Sequence, residues 1–332
     1  MTLRFDTVLL ASALAATCVA PARANDSMAE TAIGGLTLTK SDAVVMQSED
    51  LFLSEAKVSV DYVFLNTSAA DVETLVAFPL PDIENGVEVP VPDYAKDLAF
   101  RTTVDGAPVS LALVQRASFK GADVTDRLAA LGLEAAPIND RFDPAVNRLA
   151  PEARAKLIAD GLIEEAGSDG KQTLWTAHWT TKTTVTRTQV FPAGRPVKVS
   201  HTYKPLAGGS VGGLLDAKFR KDPEFTAEVR ARRDKYCIDD AFLRGYDAMA
   251  AGKKNIVRSE VWLGYVLTSG ANWKGPIRDF RLVIDKGDTK NLVSFCADGV
   301  KKIAPTQFEV RAQNFTPTKD LSVLIVKVSD IN

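Results

Sequence analysis

Lys57-Val-Ser-Val-Asp-Tyr-Val-Phe-Leu-Asn66 alternates with a period of two. Val58, Val60, Tyr62 and Phe64 share one side of an extended chain, and Lys57, Ser59 and Asp61 share the other, the pattern of a half-buried strand. Polar residues from Asn66 to Asp71 supply a turn. Thr74 to Leu80 then reads as the return strand, stopped at Pro79-Leu80-Pro81 because proline has no N–H to give a ladder. A second hairpin is predicted where Phe100, Thr102 and Val104 lead into Asp105-Gly106, a tight-turn pair, and Val109, Leu111 and Leu113 return. Residues 25–118 are therefore expected to form a sandwich-like β region.

Downstream the pattern changes. Residues 119–170 are rich in alanine and charge, and read as a helical insertion. Asp143-Pro144 offers an N-cap with proline at the first helical position, Pro151-Glu152 starts another helix that Gly161 can close, and Gly167 to Gly170 reads as a loop. Residues 171–332 return to sheet. Trp175 to Phe191 is a long β-branched run, Pro192 to Pro196 a turn and Val197 to Tyr203 its hairpin partner, a register that sets Arg187 opposite His201. Gly208-Gly-Ser-Val-Gly-Gly213 reads as a linker or a tight crossing. Asp222-Pro223 caps a helix running to about Lys235, and Asp239 to Ala250 gives a second, so a helical pair occupies about residues 222–250. The closing strands are Val257–Leu267, Phe280–Ile284, Leu292–Cys296, Gln307–Ala312 and Leu321–Val328. The expected fold class is α+β, mainly antiparallel β, with helical insertions.

Arg4 in a polar start, the apolar stretch Val8 to Ala16 and the small residues of Ala22-Arg23-Ala24 have the layout of a secretory signal, too short to span a bilayer as a permanent helix. Cleavage after Ala24 is expected, leaving Asn25 as the mature N-terminus in the periplasm. Lipidation at Cys18 is the rival reading, and Thr17 is a poor residue before an acylated cysteine. Net charge is −2 and scattered, with no basic block, so nucleic acid is not an expected partner. No later apolar run reaches the length of a membrane span. Cys237 and Cys296 remain after the signal is lost, and an even count in an oxidising compartment invites a disulfide stapling the helical pair to the final sheet.

Chemistry is harder to find. The two histidines, His178 and His201, are not brought together by the hairpin register, and His201 is expected to be a hydrogen-bonded structural residue. No Gly-x-Ser-x-Gly elbow, Ser-x-x-Lys, His-Glu-x-x-His or Cys-x-x-Cys occurs. The glycine run at 208–213 lacks the Lys-Ser or Lys-Thr pair of a phosphate loop. Asp239-Asp240 is read as a helix cap rather than a calcium site. No catalytic residue, metal or cofactor is assigned.

Several segments together resemble a family of secreted proteobacterial proteins known as domain of unknown function 4424. They are Asn25-Asp-Ser-Met-Ala-Glu30, Gly34-Gly-Leu36, Ser48-Glu-Asp-Leu51, Val76-Ala-Phe-Pro-Leu-Pro81, Val190-Phe-Pro192, His201-Thr-Tyr-Lys-Pro205, Cys237-Ile-Asp239, Asn272-Trp-Lys-Gly-Pro-Ile277 and Ser294-Phe-Cys296. The resemblance runs nearly the length of the mature chain and implies no established activity. A weaker similarity links Phe78-Pro-Leu-Pro81 and Val104-Asp-Gly106 to the β-sandwich of inter-alpha-trypsin and vault-type domains, at the level of fold alone. The expected role is a non-catalytic periplasmic binding or interaction module for an envelope protein or glycan; the alternative is an envelope hydrolase or other enzyme with an unrecognised site. The candidate binding residues are Trp273 and Lys274, on a turn marked by Gly270, Gly275 and Pro276. Two readings of Trp273 stand: a lid folded onto the sheet edge, or a contact surface.

Overall fold

The computed structural model describes residues 27–32, 35–86, 93–211, 213–251 and 256–330. The signal segment, Cys18, Asn25 and Gly212 lie outside the described residues. The fold is α+β and mainly antiparallel β, built on three sheets that share one interior. An eight-stranded sheet has at its centre the parallel pair Val44–Ser54 and Ile277–Asp285, flanked by Val58–Asn66, Pro196–Tyr203 and Gln307–Phe315. A seven-stranded sheet centres on Thr180–Phe191 and Val72–Pro79, and a four-stranded C-terminal sheet on Ile256–Tyr265 and Leu321–Asp330.

The alternation at 58–66 does what its period demands: Val58, Val60, Tyr62 and Phe64 are all buried, facing Val76, Phe78, Val185 and Phe191 of the seven-stranded sheet. The last strand is read by both of its neighbours. Leu321, Val323 and Ile325 enter the shared interior, while Leu324 and Val326 pack under the helical pair. A strand covered on both faces carries apolar residues at nearly every position, as 321–326 does.

Three connections depart from the expected hairpins. Strand 58–66 pairs with 44–54 and 196–203, whereas 72–79 pairs with 180–191 in the other sheet. Asp105-Gly106 does turn the chain, with φ of +49° and +85°, but its return strand is only Ala107–Pro108 before the chain crosses at 112–119. The turn at 192–196 likewise leads across the sandwich, so Arg187 lies opposite Val76, and His201 opposite Val60 and Thr102. Turn chemistry marks where a chain reverses and leaves open whether it re-enters the same sheet or the facing one.

Helices Thr125–Ala130, Asn139–Asn147 and Pro151–Ala159 bury Leu128, Phe142 and Leu157 against Trp175 and Trp179 in an apolar cluster of their own. Pro151 begins its helix and Gly161, at φ +75°, closes it. Asp143-Pro144 is not a helix start: the helix begins four residues earlier at Asn139, and the Asp143 carboxylate accepts a hydrogen bond from the Trp175 N–H at 2.9 Å. Gly167 is not loop but part of the strand Ile163–Ser168, which pairs with Thr173–Ala177.

The helical pair is Thr226–Tyr236 and Asp240–Ala248, the second capped by Asp239, whose carboxylate accepts from the Phe242 N–H at 2.7 Å. Cys237 ends the first helix in left-handed backbone (φ +52°) and is joined to Cys296, with Cα atoms 5.1 Å apart, which ties the helix end to the strand Leu292–Phe295.

Candidate functional site

The turn carrying the two candidate binding residues is a short 3-10 segment, Thr268–Asn272. Trp273 follows it and turns inward. It is 3% exposed, with its ring centroid 4.5 Å from Phe64 and 5.6 Å from Phe191. A ring so enclosed has no face to offer a partner, so the lid reading replaces the contact-surface reading. Lys274 remains at the surface, where its Nζ lies 3.0 Å from Thr67 Oγ1 and its N–H donates to the Val44 carbonyl. Both residues fasten the turn to the sandwich edge.

The histidines stand in different neighbourhoods. His201 is buried among Tyr62, Phe78 and Phe100, its Nδ1 2.7 Å from Thr102 Oγ1. His178 lies beside the helical insertion with Nε2 3.3 Å from Glu164. Among the described residues, no group of three or more His, Cys, Asp or Glu side chains is placed to hold a metal.

Ionisable side chains do gather between the C-terminal sheet and the helical pair. Arg232 pairs with Glu260 and lies 4.7 Å over the Trp262 ring, whose N–H donates to the same carboxylate at 2.8 Å. Arg258 repeats the pattern: it donates to Asp216 at 2.7 Å, lies 4.4 Å over Tyr246, and the Tyr246 hydroxyl donates to Asp216 at 3.0 Å. Burial and the adjacent Asp216 carboxylate push the Tyr246 hydroxyl well above its ordinary range. The glycine run accounts for the closeness of this packing. Gly208–Val211 is a strand on the sheet, and a Cβ at Gly209 would come 2.6 Å from the Glu260 carbonyl, one at Gly213 1.7 Å from the Tyr246 hydroxyl. The tight-crossing reading is the one the fold adopts. Each carboxylate here is committed to an arginine and an aromatic donor, an arrangement that fixes layers.

A feature open to a ligand is a groove of about 830 Å³ where strand ends of the eight-stranded and C-terminal sheets meet. Lys204, Lys286, Lys290 and Lys327 line it, with Ser54, Glu55 and Asn291. One wall is the loop 285–291, which holds itself in shape. The Asp285 carboxylate accepts from the Gly287 N–H at 2.8 Å and from Gln307 at 2.9 Å, and Asp288 accepts from the Lys290 N–H at 2.8 Å. Asn291 Nδ2 donates to the Lys286 carbonyl at 2.8 Å. The Lys286 ammonium bonds the carbonyls of Thr289 and Asn291; burial, then the nearby Lys302 ammonium, lowers its pKa. Lys327 pairs with Glu55. Lys204 and Lys290 are exposed and make no side-chain hydrogen bond or ion pair among the described residues, and with Lys286 and Lys327 they outnumber the groove's carboxylates, Glu55, Asp285 and Asp288, by one. Sequence reasoning passed over this wall, although Asp285-Lys-Gly-Asp288 between two strands carries the turn chemistry of a structured loop.

The family model described as Domain of unknown function (DUF4424) matches residues 24–324. The chain belongs to this DUF4424 family. None of the curated proteins matches it. Among solved structures, a crystal structure described as a candidate nutrient binding protein from Legionella pneumophila gives a TM-score of 0.42 at 13% identity, covering 92% of this chain and 71% of that one. A two-domain M1 zinc metallopeptidase mutant bound to L-tryptophan gives 0.20 at 9% identity, covering 87% of the DUF4424 chain and 44% of its own. Scores this low carry neither fold nor function, and the site rests on its own geometry.

Proposed function

We propose that this DUF4424 protein is exported, loses residues 1–24 and acts in the periplasm as a non-catalytic binding module that takes an envelope protein or glycan into the groove beside the 285–291 loop. The observation that carries the reading is the groove itself. Its volume of about 830 Å³ falls within the roughly 300–1,000 Å³ typical of ligand sites. A wall ordered before binding loses little entropy when the ligand arrives, which is how a rigid polar site gains affinity. Lys204 and Lys290 supply charge that draws an acidic or hydroxyl-rich partner. Export rests on the layout of residues 1–24 and on the two later cysteines, which suit an oxidising compartment. The test is capture from periplasmic and envelope extracts by wild type and by the Lys204→Glu, Lys290→Glu variant, with the mature N-terminus sequenced from the same preparation. Loss of capture in the variant and an N-terminus at Asn25 support the reading; turnover of an envelope substrate by purified protein would replace it with the hydrolase.

A further inference from the structure

Leu51 and Leu53 of strand Val44–Ser54 are buried on its inward side, so Phe52 between them points outward. Phe52 is half-buried and belongs to none of the apolar clusters of the described residues. It lines the groove beside the 285–291 loop, the only aromatic ring among the described residues that do so. A ring that adds nothing to the interior gives the groove one flat apolar face.

The rest of the lining is polar. Four lysines, three carboxylates and two serines make up most of it. These are the side chains in which protein–protein interfaces are depleted, while aromatics, methionine and arginine are enriched there. A protein docking here strips water from charges and gains little apolar burial in return. A sugar ring suits the same surface. Its C–H side fits the negative face of an aromatic ring, and its hydroxyls both donate and accept among the polar groups around it. The cations exceed the carboxylates by one, and Lys204 and Lys290 make no side-chain hydrogen bond or ion pair among the described residues. Their ammoniums can therefore give charge-assisted hydrogen bonds to an anionic substituent on that sugar.

We propose that the groove takes an acidic saccharide, with one sugar ring stacked on Phe52 and carboxylates held by Lys204 and Lys290. The groove must be the binding site for this to hold, and its partner narrows from an envelope protein or glycan to a sugar carrying carboxylates.

The probe is trigalacturonate, titrated calorimetrically into the full mature chain. Its methyl ester is the neutral control and triglutamate the acidic peptide control. Saturable binding is expected for trigalacturonate, binding at least tenfold weaker for the ester, and none for triglutamate. Phe52→Leu keeps an apolar side chain on the strand but removes the ring face, and should weaken binding about 2- to 12-fold. Lys290→Gln should weaken it too and flatten its dependence on salt. No saturable binding of trigalacturonate, equal affinity in wild type and Phe52→Leu, or an ester or triglutamate that binds as tightly would overturn the acidic saccharide and leave the groove reading standing. Trigalacturonate bound equally by wild type and the Lys204→Glu, Lys290→Glu variant would overturn both.

Discussion

Tyr62 and Tyr265 meet hydroxyl to hydroxyl at 2.9 Å inside the protein, both about 1% exposed. Tyr62 belongs to the eight-stranded sheet and Tyr265 to the C-terminal sheet, so this polar contact joins two layers. Tyr265→Phe should cost about 0.5–1.5 kcal/mol by urea unfolding, the net worth of a buried hydrogen bond. A double-mutant cycle with Tyr62→Phe should return a coupling energy of at least about 0.5 kcal/mol; strictly additive losses would mean that the contact joins nothing.

Trp273→Ala should destabilise by about 3–5 kcal/mol, because it empties a cavity against Phe64 and Phe191. Thermal and denaturant melts measure this. A variant that melts like wild type but loses partner capture would restore the contact-surface reading and contradict the burial.

Replacing Cys237 and Cys296 by serine opens a link between residues 59 apart in sequence. The loop-entropy model gives a loss of about 4 kcal/mol. The effect should be greatest in the helical pair, which the link holds to strand 292–295. Hydrogen exchange should show helix 226–236 losing protection before strands 58–66 and 180–191; uniform loss would show that the link serves the whole fold.

The groove wall should respond to acid. Burial alone would raise the Asp285 carboxyl, but donation from Gln307 and Gly287 outweighs it and holds the pKa below the ordinary range. A carboxylate lowered on folding contributes stability above its unfolded pKa, about 3.9, and that stability is lost as pH falls through the lower folded value. Loop 285–291 should therefore keep its amide protection at pH 5 and lose it below about pH 3.9 ahead of the core. Asp285→Asn should remove most of that step, and loop protection unchanged down to global unfolding would refute the assignment.

How much of this was legible beforehand follows from what each signal encodes. The alternation at Lys57–Asn66 named the buried side chains, Asp239 named a cap, and the cysteine count named the pair that lies at bonding distance. The crossings after Asn66, Pro108 and Phe191 were not legible, since period two reports which residues face inward and not which sheet receives the chain. Pro144 misled because an aspartate before a proline has the same local chemistry at a helix start as inside a helix whose Asp143 bonds a distant strand. The groove was hidden for a related reason: Lys204, Lys290 and Lys327 lie on segments separated in sequence, and the meeting of strand ends from two sheets assembles them.

The central claim is that the groove binds. Its most direct measurement is quantitative capture from periplasmic and envelope extracts on immobilised mature protein, comparing wild type with Lys204→Glu, Lys290→Glu at matched folding. Both lysines are exposed and make no ion pair among the described residues, so stability should change by no more than about 0.5 kcal/mol. Wild type should retain a discrete partner, protein or glycan, that elutes as salt rises and that the variant loses by at least tenfold. The same partner retained equally by both proteins would contradict the central claim.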